Sequence, residues 1–272
     1  MKKVRPPQVA GYFYPAEPNT LHNEIQRMLS EAKLHKTFDK IIGIVSPHAG
    51  YIYSGKTAAF AYNAIKDKDY ETAIVISPSH AEYFPGISIY DGEAYQTPLG
   101  IVEIDEDKAQ KLVEGSKLIF RGIQGHRKEH ALEVQIPFLQ TVLNDFKIVP
   151  IVMGDQSKVF VNELAEKLTE VMDDKTLIVA SSDLSHFYNA NEANLLDSLV
   201  ERRINDFDFE KLQQDLDAHR CEACGGGPII AMMKAAALNN YHKAEVLKRT
   251  DSGDVTGDKS EVVGYLSAVV YE

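Results

Sequence analysis

Three apolar runs in this chain stop at serine and then deliver a histidine. Residues 41–48 read IIGIVSPH, residues 73–80 read AIVISPSH, and residues 177–186 read LIVASSDLSH. None of the runs alternates apolar with polar positions, so each predicts a strand buried on both faces. Strands of that kind alternate here with helical segments. The combination predicts an α/β fold, with a mostly parallel central sheet and helices on both faces.

The remaining elements follow from periodicity and punctuation. Leu21, Ile25, Met28 and Leu29 form a helical stripe that runs to about Leu34 behind a cap at Asn19-Thr20. Further helices are expected over 54–65, 105–114 (capped by Asp105), 159–171, 190–205, 208–217 and 228–240. Strands are expected at 41–47, 72–78, 86–90, 101–104, 146–153, 176–180, 244–250 and 262–271, with loops at 91–100 and 120–128. Residues 129–143 read as a helix that Pro137 kinks or divides. Residues 1–18 form an extended, Pro-punctuated arm whose Tyr12, Phe13 and Tyr14 pack on the domain. With no internal repeat and no Gly/Ser/Pro-rich linker, residues 1–272 are expected to form one domain.

Charge narrows the function. The chain carries 29 basic against 40 acidic residues, a net charge of −11, and has no basic tract. That argues against nucleic acid or an anionic membrane surface as partner. No window approaches eighteen apolar residues, and Pro6-Pro7 falls where a signal peptide needs its apolar run. Two cysteines, Cys221 and Cys224, cannot build a disulfide framework. The expectation is a cytoplasmic protein.

In open α/β sheets, functional groups collect beyond the carboxyl ends of the strands. His48, His80, Asp183 and His186 all fall there and converge if their strands are neighbours. Imidazoles beside a carboxylate suit a divalent transition metal, and two His with one carboxylate suit non-haem Fe(II). Cys224 precedes a glycine run and Pro228, which is expected at the first helical position. Helix-end amides there would lower the thiol pKa. Buried, inert cysteines at a Gly-rich helix entry are the plainer alternative. No second cysteine pair completes a zinc site, and the glycines lack the Walker spacing and its lysine.

Glu129, His130 and Glu133 lie within about one helical turn and can share a face. They could orient the strand-end histidines, or simply form a solvated helix start. His22 and His35 are expected at the surface, and His126, His219 and His242 have no assignment.

Taken together, Ser46-Pro47-His48-Ala49-Gly50-Tyr51, Ser77-Pro78-Ser79-His80, Glu129-His130 with Glu133-Val134-Gln135, Ser181-Ser182-Asp183 with His186, and Cys224-Gly225 with Pro228 resemble the Memo family. The motifs match in order over nearly the whole chain. Bacterial and archaeal members are grouped as the B component of the AmmeMemoRadiSam set. The family's fold is similar to that of class III extradiol dioxygenases, non-haem iron enzymes that cleave catechol rings.

The resemblance implies that His48, His80 and Cys224 bind a metal, iron or copper, with Asp183 and His186 lining the same pocket. It also marks a departure, because the ring-cleaving enzymes carry a glutamate where this chain has Cys224. A thiolate is softer and favours copper or redox-active iron.

Four functions follow as alternatives. In the first, His48, His80 and Cys224 hold Fe(II) or copper, with zinc also open, for redox chemistry on a small molecule. Asp183 then supports the ligands and His186 moves protons. The second is an extradiol dioxygenase. The third is a binding protein that keeps the pocket and uses its acidic surface for a protein partner. The fourth is a hydrolase with Cys224 as nucleophile and His186 as base.

Overall fold

The computed structural model describes residues 3–272, and the counts below refer to these. The first two residues of the N-terminal arm lie outside them. In chain order the elements are β1 (Val4–Arg5), α1 (Pro18–Glu31), β2 (Ile41–Ser46), α2 (Tyr51–Ile65), β3 (Thr72–Pro78), β4 (Ile87–Tyr90), β5 (Ala94–Thr97), β6 (Gly100–Glu103), α3 (Glu106–Val113) and β7 (Ile119–Gly122). A 3-10 turn (Glu133–Gln135) then leads into α4 (Ile136–Val142), β8 (Lys147–Met153), α5 (Lys158–Thr169), β9 (Thr176–Ser181) and β10 (His186–Tyr188). The chain closes with α6 (Ala190–Asn205), α7 (Phe209–Asp217), α8 (Gly226–Leu238), β11 (Lys243–Asp251), α9 (Gly253–Thr256) and β12 (Val262–Tyr271).

Nine strands form one mixed sheet in the order β10-β12-β2-β9-β3-β8-β4-β7, with β11 also paired to β12. Its centre, β2-β9-β3-β8, is parallel throughout. The antiparallel pairings lie outward of that block, at β12 on one side and β4 on the other. Every residue of β2, β3 and β9 is buried, as the unbroken apolar runs require. Helices cover both faces: α2 packs on β2 and β12, while α8 packs on β9, β3 and β2, with α5 outside it. At Gly43 of β2 a Cβ would press on Met232 of α8 and lie 2.8 Å from the Ile178 carbonyl oxygen, so glycine lets the helix approach closely.

Several local expectations change. Glu17, not Asn19-Thr20, caps α1: its carboxylate accepts from the backbone N–H of Asn19 at 3.0 Å and Thr20 at 2.6 Å, and Pro18 opens the helix. The expected loop at 91–100 holds β5, which forms a hairpin with β6 and pairs with β1 in a second sheet. The expected loop at 120–128 begins inside β7, which pairs with β4. Residues 129–132 are not helical, and Pro137 sits at the start of α4, where its missing N–H costs nothing. In the arm, Tyr14 is buried as expected, whereas Tyr12 is exposed. Among the described residues, no helix is long and apolar enough to cross a membrane.

Candidate metal centre

The registers Ser46↔Ser181 and Ile76↔Ala180 align the carboxyl ends of β2, β9 and β3. The turns that follow carry His48, Asp183 and His80, and the entry to α8 brings Cys224 to the same edge. One ligand atom from each of His48, His80 and Cys224 lies within 4.8 Å of the others.

Both imidazoles are held by the nitrogen that a metal would not use. Ser181 is buried, and its Oγ–H donates to the Ala131 carbonyl at 2.7 Å. With that proton committed, Ser181 Oγ can only accept from His48 Nδ1, 2.9 Å away, and from Gln135 Nε2 at 2.7 Å. Nδ1 of His48 therefore carries the proton, and Nε2, 3.2 Å from Cys224 Sγ, keeps its lone pair. Burial and the neighbouring His80, His130 and His186 hold His48 well below the usual imidazole pKa, so the ring is neutral. His80 donates from Nδ1 to Glu129 Oε1 at 2.9 Å and from its backbone N–H to Glu129 Oε2 at 2.5 Å. A carboxylate behind a ligand histidine fixes its tautomer and orientation.

Glu129 is almost fully buried and also accepts from the backbone N–H groups of His130 at 3.0 Å and Ala131 at 2.9 Å. Burial works to raise its pKa, but the His80 bonds and these amides win and hold it at about 2. Burial likewise opposes charge on His80, and Glu129 outweighs it, leaving that pKa raised. His130 stacks on His80 with ring centroids 5.0 Å apart, and burial lowers its pKa.

Asp183 joins the two sides of the site. Its Oδ1 accepts the His48 backbone N–H at 2.7 Å, its own N–H donates to Cys224 Sγ at 3.2 Å, and its carbonyl accepts the Cys224 N–H at 3.1 Å. Burial raises its carboxyl pKa to about 7 despite the His48 amide. It therefore ties the His48 turn to the entry of α8. The expected lowering of the Cys224 thiol by the helix end does not occur. Burial, and then the Asp183 carboxylate, push it up.

α8 begins at Gly226 rather than Pro228, and Gly225 is its N-cap. A Cβ on Gly225 would collide with the Ser181 carbonyl oxygen and lie 2.8 Å from the Ser182 Cβ. That glycine allows the close seating of the helix entry on β9.

His186, on β10, is half-buried and stands outside the three-residue group. It shares with Cys224 the wall of a cavity of about 440 Å3, together with Gln156, Cys221, His219 and Glu222. A separate cavity of about 630 Å3 lies at the opposite end of β2 and β9, beside Lys40, Ile41, Lys175 and Thr176, away from these groups. His126 is buried inside the fold, bonded to the Tyr95 hydroxyl at 2.7 Å. His22 and His35 are exposed, as expected.

Known proteins resemble this one over nearly the whole chain. The family model of Memo-like proteins matches residues 5–269. This chain belongs to the Memo family. MEMO1 family proteins of Thermoplasma volcanium and Methanocaldococcus jannaschii are 37% and 36% identical to it. The first alignment covers 98% of both chains; the second covers 99% of this Memo-family chain and 100% of its relative. A MEMO1 family protein of Nitrosopumilus maritimus is 36% identical, over 96% of this chain and 98% of its own. An uncharacterized Escherichia coli K12 protein of known structure shares the fold, with a TM-score of 0.56 and 14% identity, over 85% of this chain and all of that one.

The donor chemistry of this Memo-family site suits a transition metal: two neutral-capable imidazoles, each anchored through its far nitrogen, and one thiol. Sequence reasoning singled out all three, together with Glu129. It gave no role to Ser181 and Gln135, which set the His48 tautomer. The signal for them lay only in the Ser-rich strand ends and in a glutamine just ahead of the apolar run Ile136–Leu139.

Proposed function

We propose that this chain binds one redox-active transition-metal ion, iron or copper, through His48 Nε2, His80 Nε2 and Cys224 Sγ. The observation that carries the reading is the convergence of the three donors within 4.8 Å, with each imidazole's Nδ1 already engaged. Zinc fits the same donors; the sulfur sets the site apart from a plain two-His-one-carboxylate iron triad and suits copper or redox-active iron. When bound, such an ion supplies one-electron chemistry next to the cavity that Cys224 and His186 line.

The chain's residues do the rest. Ser181 and Glu129 keep the ligand rings oriented. Asp183 fixes the His48 and Cys224 backbones against each other. His186, whose pKa burial lowers, is a neutral base on the cavity wall and can take a proton from a small-molecule substrate. The ring-cleaving alternative needs two His and a Glu. His80, Glu129 and His130 also offer atoms within 4.8 Å. Yet Glu129 already accepts four N–H bonds and is buried, so it serves as support rather than ligand.

Elemental analysis of protein purified without added metal tests this reading. Near-stoichiometric iron or copper in the wild type, lost in His48→Ala, supports it. Trace metal in the wild type, or equal metal in both proteins, rejects it.

A further inference from the structure

The N-terminal arm contains a buried cation that the metal reading does not use. Arg5 is 4% exposed, and its guanidinium spends three donors on one segment of chain. Nε donates to the His126 carbonyl at 2.6 Å, Nη1 to Glu133 Oε2 at 2.7 Å, and Nη2 to the Glu129 carbonyl at 2.6 Å. The Glu133 carboxylate, wholly buried, also accepts from the backbone N–H groups of Gln8 and Val9 and from the Tyr14 hydroxyl at 2.6 Å. Glu133 thus ties residues 5–14 into one bound strap.

That strap touches the His48 turn directly and reaches the His80 turn through Glu129. On one side Arg5 holds the backbone of Glu129, whose carboxylate grips His80 by two bonds. On the other, the Phe13 carbonyl accepts the N–H of Tyr51 at 2.7 Å, three residues after His48. Between them the Phe13 ring lies 4.7 Å from that of His130, which stacks on His80. A planar cation that meets three fixed acceptors constrains its neighbours more tightly than an ammonium can.

We infer that Arg5 and Glu133 are positioning residues that brace the turns of His48 and His80 and so set the geometry of the metal site. The inference rests on the metal reading, but its first readout is independent of metal. In apo protein with 15N-labelled histidine, the hydrogen-bonded His80 Nδ1–H gives a proton signal, assigned by its loss in His80→Ala. Arg5→Lys keeps the charge and loses the fork; it should abolish that signal and weaken Co(II) binding about tenfold or more, with a changed Co(II) absorption spectrum. Leu112→Ala, a buried position on α3, lowers stability without touching the strap and should leave signal and affinity as in the wild type.

A wild-type Nδ1–H signal and Co(II) affinity in Arg5→Lys would overturn the inference. So would equal losses in Leu112→Ala, or a missing signal in the wild type. If the signal disappears in Arg5→Lys while the wild type binds no Co(II), the brace stands and the metal reading falls. If Arg5→Lys does not fold, Tyr14→Phe removes a single donor from Glu133 and should bind Co(II) severalfold more weakly; wild-type affinity there would overturn the inference.

Discussion

Sγ of Cys224 lies 3.2 Å from Nε2 of His48, across 176 residues of sequence. Neither β2 nor α8 produces that contact alone. It arises because Asp183, at the end of the strand between them, binds the His48 amide through its carboxylate and the Cys224 amide through its carbonyl. The pair is therefore held together by hydrogen bonds within the protein itself.

Cys224→Ser keeps a small polar side chain and removes the soft donor. The variant should hold Cu(II) at least tenfold more weakly. It should also lose the sulfur-to-copper charge-transfer absorption expected of the wild type. A Cu(II) titration followed by absorbance checks both. An unchanged band in the variant would take Cys224 out of the ligand set.

Gly225→Ala places a methyl group against the Ser181 carbonyl oxygen and the Ser182 side chain. The entry to α8 must then move off β9 and carry Cys224 with it. Stability should fall by about 1–3 kcal/mol, as overpacked sites do, and metal affinity should fall as well. Urea unfolding together with a metal titration reads both quantities; a loss of stability at full affinity would show that Cys224 keeps its place.

His126 gives the chain a pH dependence separate from the metal site. Burial lowers its pKa to about 3, whereas the unfolded chain binds the same proton near pH 6.5. The unfolded state thus takes up the proton first as pH falls. Stability from this residue is present above about pH 6.5 and is lost progressively down to about pH 3. Between pH 7 and pH 5 the loss is about 2 kcal/mol. His126→Gln should be less stable at pH 7, yet its decline from pH 7 to pH 5 should be smaller by about that amount. Parallel pH profiles for the two proteins in urea unfolding would contradict the assignment.

The strand-end histidines were legible in the sequence because their strands are buried on both faces, which leaves an unbroken apolar run and a clear stop. β6 was expected, at 101–104, but its hairpin partner β5 was not, because a four-residue strand with exposed Gln96 has too little periodic signal to distinguish it from a loop. Glu129 and Glu133 were noticed together as one helix face. The structure separates them: one carboxylate faces His80 and the other faces Arg5 from a chain segment 128 residues away. Spacing cannot report partners at that range. The Cys224 thiol was misjudged for a related reason. The helix end was visible in the sequence, but the burial and the Asp183 carboxylate that outweigh it come from tertiary structure.

The most direct test of the metal centre is anomalous scattering from a crystal of the protein purified without added metal, collected on both sides of the iron and copper absorption edges. A single peak bonded to His48 Nε2, His80 Nε2 and Cys224 Sγ, present above one of those edges and absent below it, is the predicted result. A peak centred instead on Glu129 and His130, or no peak at full data quality, would contradict it.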